Sequence, residues 1–190
     1  YKLIKILNRL PAVHDEVFIK ALNTVKPRRG VTLKVCPRTA ASSWGIWRAV
    51  VVVPDDFAKN YGPEERFGIY LHELAHIKSL DSAKYMIMAL CKAMFWFSPA
   101  GSAALERYRG HLEVDCDHRV LATGKISPMD YARLITRAVD RQHHLMPAIS
   151  SSFQDVSRRF GYIFEDSSLL PGKKDRVAAA TAPGDSILTI

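Results

Sequence analysis

The feature that most limits what this chain can fold into is the run H-E-L-A-H at residues 72–76. It lies within residues 63–80, which begin with proline and two acidic residues and continue with apolar residues at helical spacing. Two histidines four residues apart lie one turn from each other on one face of a helix and can bind one metal ion. The sequence therefore predicts a zinc site with His72 and His76 as ligands and Glu73 as the base that deprotonates a water molecule. Two incidental histidines are a poorer explanation, because the apolar flanks place the motif in a core where unpaired polar groups are costly.

A catalytic zinc ion needs three protein ligands and an open fourth position, so a third ligand has to come from another segment. No third histidine follows the motif at short spacing, and Glu113, in the run H-L-E-V-D-C-D at 111–117, is the leading candidate. Asp117 lies four residues later on the same helical face, where it can accept the outer N–H of a ligating histidine. Without the H-E-x-x-H motif, solvated acids on a helix surface would explain these two residues better.

The remaining pattern predicts an α+β fold in which helices pack around a small sheet of about three strands. Strands are predicted at Val31–Val35, 44–47 and Ala49–Val53. Helices are predicted at 14–25, 63–80, 83–97, 103–122, 127–142 and 153–164, with a further helical pattern over residues 1–10. We expect one domain over residues 1–165 and a flexible tail or linker over residues 166–190, where serine, proline, glycine, lysine and alanine dominate.

Charge and cysteine content narrow the classes of function. A net charge of +8 raises the question of an acidic partner. The basic residues are scattered, however, and no aromatic residues interleave with them, so a solvated basic surface is a better interpretation than nucleic-acid binding. Cys36, Cys91 and Cys116 form no C-x-x-C pair, so we expect reduced thiols in a cytosolic compartment and no thiolate zinc site.

The apolar stretches do not predict a spanning helix. Residues 85–97 are too few to cross a bilayer and include Lys92, so they are predicted to form a buried helix with at most partial membrane contact. Residues 1–10 carry basic residues between apolar ones, which excludes a cleavable signal peptide. They fit a helix on a membrane surface, a helix that continues from a spanning segment, or equally well a helix packed on its own core. Because the chain begins with Tyr1, we expect it to be part of a longer or processed protein.

Four sequence blocks occur in an order typical of one family. They are G-I-W-R-A-V-V-V-V-P at 45–54, H-E-L-A-H-I-K-S-L-D at 72–81, F-W-F-S-P at 95–99 and E-V-D-C-D-H-R-V-L at 113–121. In these blocks the chain resembles the antirepressor-cleaving zinc peptidases of bacterial β-lactam sensor-transducers, the BlaR/MecR type. Ser98 stands where that family usually has asparagine, which affects a turn and no proposed ligand.

The resemblance implies a zincin-like metalloprotease of the gluzincin type. Carried over by position, it implies zinc ligands at His72, His76 and Glu113, the base at Glu73, and supporting acids at Asp81 and Asp117. For Asp81 alone, a simple helix cap is an equally good explanation. The resemblance also implies a membrane-anchored parent whose peptidase faces the cytoplasm and cleaves a regulatory protein such as a transcriptional repressor; a chain complete in itself would be cytoplasmic.

We therefore expect a zinc endopeptidase acting on a protein or peptide. The alternatives are a peptidase of the prenyl-protein or membrane quality-control type and an inactive metal-binding interaction module. Glu73 argues against the last, because a purely structural zinc site needs no base. The strand Ala49–Val53 is expected to pair with an extended substrate. The group that stabilises the oxyanion is left open among four residues: Tyr70, Tyr108, Arg109 and His111.

Overall fold

Helices surround a short mixed sheet in the computed structural model, which describes residues 7, 9–37, 39–145, 157 and 159–163. The elements are, in chain order, α1 (Glu16–Val25), β1 (Val31–Val35), β2 (Ser42–Trp44), β3 (Ala49–Val53), α2 (Phe57–Asn60), α3 (Pro63–Lys78), α4 (Asp81–Met94), α5 (Pro99–Ala122) and α6 (Pro128–Leu145). Residues 159–163 are also helical. This arrangement confirms the predicted α+β class.

The strand order in the sheet is β1-β3-β2, which makes β3 the central strand. It runs parallel to β1, with Ala49 beside Val31, and antiparallel to β2, with Val52 opposite Ser42. All five residues of β3 are buried, because a strand covered on both faces needs apolar side chains at every position. The prediction that this strand offers its edge to a substrate is wrong, since its backbone is paired on both sides.

The two outer strands differ in how open their edges are. Along β1, the backbone N–H of Val13 donates to the carbonyl of Leu33 at 3.1 Å, and the N–H of Val35 donates to the carbonyl of Pro11 at 3.2 Å. Within the described residues, β2 pairs with β3 alone. The outer edge of β2 is therefore the one open to a further strand.

Glycine sets the end of β2. The strand spans Ser42–Trp44 and not the predicted 44–47, because Gly45 has a φ of +100° and starts a turn. A Cβ atom at this position would lie 2.0 Å from the carbonyl oxygen of Arg48, so no other residue fits the turn without displacing the backbone.

Helix α3 is the central helix of the domain, and Leu71 and Leu74 on it have no exposed surface. It packs against α1, α5 and α6. The approach of α6 depends on Gly68, where a Cβ atom would lie 2.5 Å from Leu134 Cδ2 and 2.9 Å from Ile126 Cδ1. The H-E-x-x-H motif thus lies on a helix that is held in place by packing against three other helices.

Helix α4 and the first half of α5 form a hairpin whose outer end is exposed. Every residue from 89 to 97 is exposed, so the prediction of a buried helix over residues 85–97 is wrong. Only the start of α4, at Asp81, is buried. Among the described residues, no helix is both long enough and apolar enough to cross a membrane.

Some predicted segments fall largely outside the described residues. The predicted tail at 166–190 lies entirely outside them. Residues 1–6 of the first helical pattern and residues 153–156 and 158 of the last predicted helix also lie outside them. Of the last predicted helix, residues 157 and 159–163 are described, and they are helical.

Candidate metal centre

Helices α3 and α5 bring three potential metal ligands together on the wall of one cavity. His72 and His76 lie one turn apart on α3, and their Nε2 atoms are 3.1 Å apart. Glu113 on α5 places Oε2 3.3 Å from His72 Nε2 and Oε1 3.7 Å from His76 Nε2. The cavity has a volume of about 620 Å³, and Glu73 also lines it. The ligands and the base named from the sequence are therefore adjacent.

The spacing of these donor atoms fits a tetrahedral metal ion. Zinc with bonds of about 2.0–2.1 Å to nitrogen and oxygen separates its ligand atoms by roughly 3.3 Å. The three side chains offer one such atom each, all within 4.8 Å of one another. Two imidazole nitrogens and one carboxylate oxygen are donors that zinc accepts, and they leave one position for water.

Asp81 holds the outer nitrogen of His76. Its Oδ2 lies 2.7 Å from His76 Nδ1, and its Oδ1 accepts a hydrogen bond of 2.7 Å from Lys84 Nζ. The chain reaches this position through Leu80, which has a left-handed φ of 60° and turns α4 back toward α3. Leu80 is the N-cap residue of α4, and no side chain caps that helix, so Asp81 does not serve as the cap.

Tyr131 and Asp117 hold the outer nitrogen of His72. The phenol oxygen of Tyr131 lies 2.9 Å from His72 Nδ1, and its O–H donates to Asp117 Oδ1 at 2.8 Å. Asp117 Oδ1 is itself 3.3 Å from His72 Nδ1. Tyr131, on α6, was not named from the sequence, because a tyrosine within an amphipathic helix gives no signal of a buried polar role.

These anchors set the charge that the centre favours. With both Nδ1 protons directed at the anchors, the two Nε2 lone pairs face each other and repel unless a proton or a cation lies between them. Burial alone would lower the pKa of His72, but its hydrogen bonds with Asp117 and Glu113 outweigh burial and raise the pKa to about 10. Burial would raise the pKa of Glu113, but His72 and His76 lower it. The centre therefore favours one positive charge here, supplied by an imidazolium or by a metal ion.

Arg159 joins the centre from the far end of the described chain. Its Nε donates to Asp117 Oδ2 at 2.6 Å and its Nη2 to Asp117 Oδ1 at 2.7 Å, while Nη1 lies 3.4 Å from Glu113 Oε2. Burial would raise the pKa of Asp117, but the Arg159 charge more than offsets it. The sequence analysis did not name Arg159 as a site residue. A buried aspartate requires a cation, yet nothing in the sequence selects one among 27 lysines and arginines.

Cys116 lies behind the His76 anchor. Its Sγ is 3.2 Å from His76 Nδ1 and donates to Asp81 Oδ2 at 3.4 Å. Burial and the nearby carboxylates raise the pKa of the Cys116 thiol, so the sulfur stays protonated. In the metal-free protein it therefore supports the Asp81–His76 pair, and these three side chains also lie close enough together to form a second possible metal group.

The four residues considered for oxyanion stabilisation are placed very differently. Tyr70 is buried in the core and donates a hydrogen bond to Asp15, so that candidate is wrong. Tyr108 and His111 are not among the residues that line the cavity, whereas Arg109 is. The cavity is also lined by β2 and the turn after it, which places the open sheet edge next to the histidines.

Comparisons with known proteins agree with this geometry. A sequence model of the family described as BlaR1 peptidase M56 matches residues 2–163. The regulatory protein BlaR1 of Bacillus licheniformis is 27% identical over 169 residues, which cover 83% of this chain and 28% of that protein. The methicillin resistance mecR1 protein of Staphylococcus aureus is 31% identical over 78 residues, which cover 41% of this chain and 13% of that protein. The chain thus spans less than a third of the length of these relatives.

Proposed function

We propose, because this chain belongs to the BlaR1 peptidase M56 family, that it is a zinc-dependent endopeptidase acting on a protein substrate. The family is one of metallopeptidases, and its curated relatives are regulatory proteins. One observation carries the finer proposal: His72, His76 and Glu113 direct three donor atoms at one point, while a separate group holds the outer nitrogen of each histidine. A site that merely happened to contain two histidines would not need both anchors.

Bound by these three side chains, zinc would supply Lewis acidity that polarises the scissile carbonyl and acidifies a water molecule. Glu73 is buried and lines the cavity beside His72, and we assign its carboxylate as the group that takes the proton of that water. It then delivers the proton to the leaving amine nitrogen as the peptide bond breaks.

The remaining groups orient the reacting ones. Asp81 and the Tyr131–Asp117 pair keep both imidazoles in the tautomer whose Nε2 can bind a metal. Arg159 in turn fixes Asp117 by two hydrogen bonds. Arg109 lines the cavity, and we assign it as the donor that stabilises the developing oxyanion.

The substrate binds along β2 in this proposal. Its outer edge is open in the described part of the fold, and residues 39–46 line the cavity beside the histidines. An extended peptide that paired with β2 would satisfy its own backbone groups and lie across the centre. The site therefore fits an unfolded or extended segment of a protein better than a compact surface.

This chain matches only a small part of each relative, and this observation supports a further part of the proposal. Since the chain spans only 28% of BlaR1 and 13% of mecR1, we assign it as the peptidase unit of a longer, membrane-anchored regulator, with the centre on the cytoplasmic side. The proposed substrate is a cytoplasmic regulator such as a transcriptional repressor. Nucleic acid is not a proposed partner.

A conservative pair of variants on α3 tests the chemistry. Glu73→Gln keeps the shape of the side chain but removes the base, whereas Glu64→Gln makes the same change at an exposed position of the same helix. We expect Glu73→Gln to lower hydrolysis of an unfolded protein substrate by about 100-fold or more, with zinc content and fold unchanged, and Glu64→Gln to have no effect. Fragments are identified by mass spectrometry.

The outcomes separate the candidate functions. Equal cleavage by both variants would show that Glu73 is not the base. Full zinc content without cleavage by the unmodified chain, on its own and with its flanking segments restored, would favour an inactive metal-binding module.

A further inference from the structure

The hairpin of α4 and α5 ends in an apolar tip, which we define as Leu90, Met94, Phe95, Trp96 and Phe97. These side chains are between 53% and 82% exposed. The aromatic rings lie near one another, with centroids 6.4 Å apart for Phe95 and Phe97 and 6.3 Å for Trp96 and Phe97. So much clustered apolar surface at the end of a projecting element is typical of a binding surface.

The outer part of the hairpin, residues 82–105, is amphipathic and has no acidic residue. Met86, Leu90 and Met94 follow one another at intervals of four and share a face of α4, whereas Lys92 falls on the opposite side. Residues 82–105 include Lys84 and Lys92 but no aspartate or glutamate. Lys84 pairs with Asp81 at the start of α4, whereas Lys92 lies next to the tip in the sequence. An apolar face backed by this lysine complements a surface that is apolar within and anionic at its boundary.

We propose that the apolar tip inserts into the headgroup region of an anionic lipid bilayer and docks the domain on the membrane surface. Tryptophan and phenylalanine favour this region because their rings are apolar and Trp96 also carries an N–H that can remain hydrated. A bilayer fits better than a second copy of the chain, because an apolar tip without a carboxylate, backed by Lys92 on the opposite side of α4, matches an apolar interior with an anionic boundary.

Docking in this way also orients the catalytic cavity. Tyr85 and Met86, at the base of the exposed stretch, line that cavity together with His72 and Glu73. The bound domain therefore holds its cavity close to the lipid surface and receives extended substrate there. This inference deepens the proposed location of the peptidase but does not depend on hydrolysis.

Intrinsic fluorescence reports on the tip directly. The full 190-residue chain with Trp44→Phe and Trp47→Phe keeps Trp96 as its single tryptophan. We expect its emission to shift to shorter wavelength when vesicles of equal parts phosphatidylglycerol and phosphatidylcholine are added, and to be quenched by lipids brominated near the headgroup. Pure phosphatidylcholine vesicles should bind more weakly, and added salt should weaken binding to the anionic vesicles.

Two charged substitutions separate the tip from the rest of the surface. Phe97→Asp should lower partition onto anionic vesicles by about tenfold or more, since it removes an inserted aromatic side chain and adds a carboxylate. Met129→Asp introduces the same charge at an apolar residue of α6 that is also exposed, and should leave partition unchanged. Circular dichroism and zinc content confirm that each variant is folded.

The proposal is overturned if Phe97→Asp and Met129→Asp bind vesicles equally, or if Trp96 emission does not change. It is also overturned if Trp96 is already shielded by self-association without lipid, as measured by sedimentation. Glu73→Gln should bind vesicles like the parent chain, so that a failure of docking and a failure of catalysis are observed separately.

Discussion

Arg159 and Arg119 form ion pairs of nearly equal length in different surroundings, and this contrast gives a quantitative test of the centre. Arg159 Nε lies 2.6 Å from Asp117, and the two side chains are 10% and 2% exposed. Arg119 Nη2 lies 2.7 Å from Asp115, and these side chains are 44% and 48% exposed. Arg159→Ala leaves a buried carboxylate without its cation, which should cost about 3–5 kcal/mol of unfolding free energy. Arg119→Ala should cost only about 0.2–1 kcal/mol.

Urea denaturation followed by circular dichroism measures both losses. The experiment is done with a chelator present, because zinc bound to the folded state would add its own stabilisation. With a slope of about 2 kcal/mol per molar urea, the midpoint of Arg159→Ala should fall by roughly 1.5–2.5 M. Arg159→Lys keeps the charge but not the fork of donors, so its loss should be intermediate.

The pH dependence has a definite sign. Burial raises the pKa of Asp117 and Arg159 more than offsets this, so the folded-state pKa is lowered. The stabilisation is therefore present above the ordinary aspartate pKa, near about 4, and is lost as the pH falls through the folded value. The difference between wild type and Arg159→Ala should narrow in acid. Equal losses for Arg159→Ala and Arg119→Ala at neutral pH would refute this account of the buried pair.

Two further predictions concern metal binding. Glu113→Ala should weaken zinc binding by at least about 100-fold, which is the upper end of the loss caused by removing an outer hydrogen-bond partner of a ligand. Asp115→Ala, at an exposed position of the same helix, should leave zinc binding unchanged. Chelator competition measures both affinities, and the reverse order would show that the third ligand is misassigned. Because the pKa of His72 in the metal-free protein is raised from 6.5 to about 10, zinc must displace a proton at neutral pH. Zinc affinity should therefore rise about tenfold per pH unit between about pH 7 and 10, and calorimetry in buffers of different ionisation enthalpy should show release of one proton. The same shift stabilises the metal-free fold below about pH 6.5, and that contribution is lost as the pH rises through 10; pH-independent zinc binding would contradict the assignment.

Local patterns predicted the parts of the fold in which one segment decides its own structure. The bounds of β1 and β3 were predicted correctly, β1 from the alternation of apolar and polar residues in a half-buried strand and β3 from a run of apolar, β-branched residues. The first ligand pair followed from helical spacing alone, and the structure places both residues as that spacing requires. The strand β2 was misplaced because the aromatic residues at 44–47 suggested a strand, whereas the strand ends at Trp44 and Trp47 is 90% exposed.

The sequence did not predict features that depend on contacts between residues far apart in the chain. Helix α4 has the apolar content of a core helix, and periodicity does not show that its outer half projects from the domain. Arg159 looks like any surface arginine, because its partner Asp117 lies 42 residues away in the chain. The choice of α3 as the helix that carries the candidate site was local, but the groups that contact its histidines and their anchors come from α4, α5, α6 and the last described helical segment.

Because these groups are far apart in the chain, the contacts of the candidate centre form in a definite order during folding. His72 and His76 meet as soon as α3 forms, but Tyr131 joins His72 across 59 residues and Cys116 joins His76 across 40. Closing such loops is slow compared with helix formation, so these contacts form with the tertiary fold. A nascent chain that has emerged only through α5 holds the complete H-E-x-x-H helix but lacks both Tyr131 and Arg159. The contacts that orient His72 and Asp117 are thus completed only when Tyr131 and Arg159 dock, after the three candidate ligands are already present in the chain.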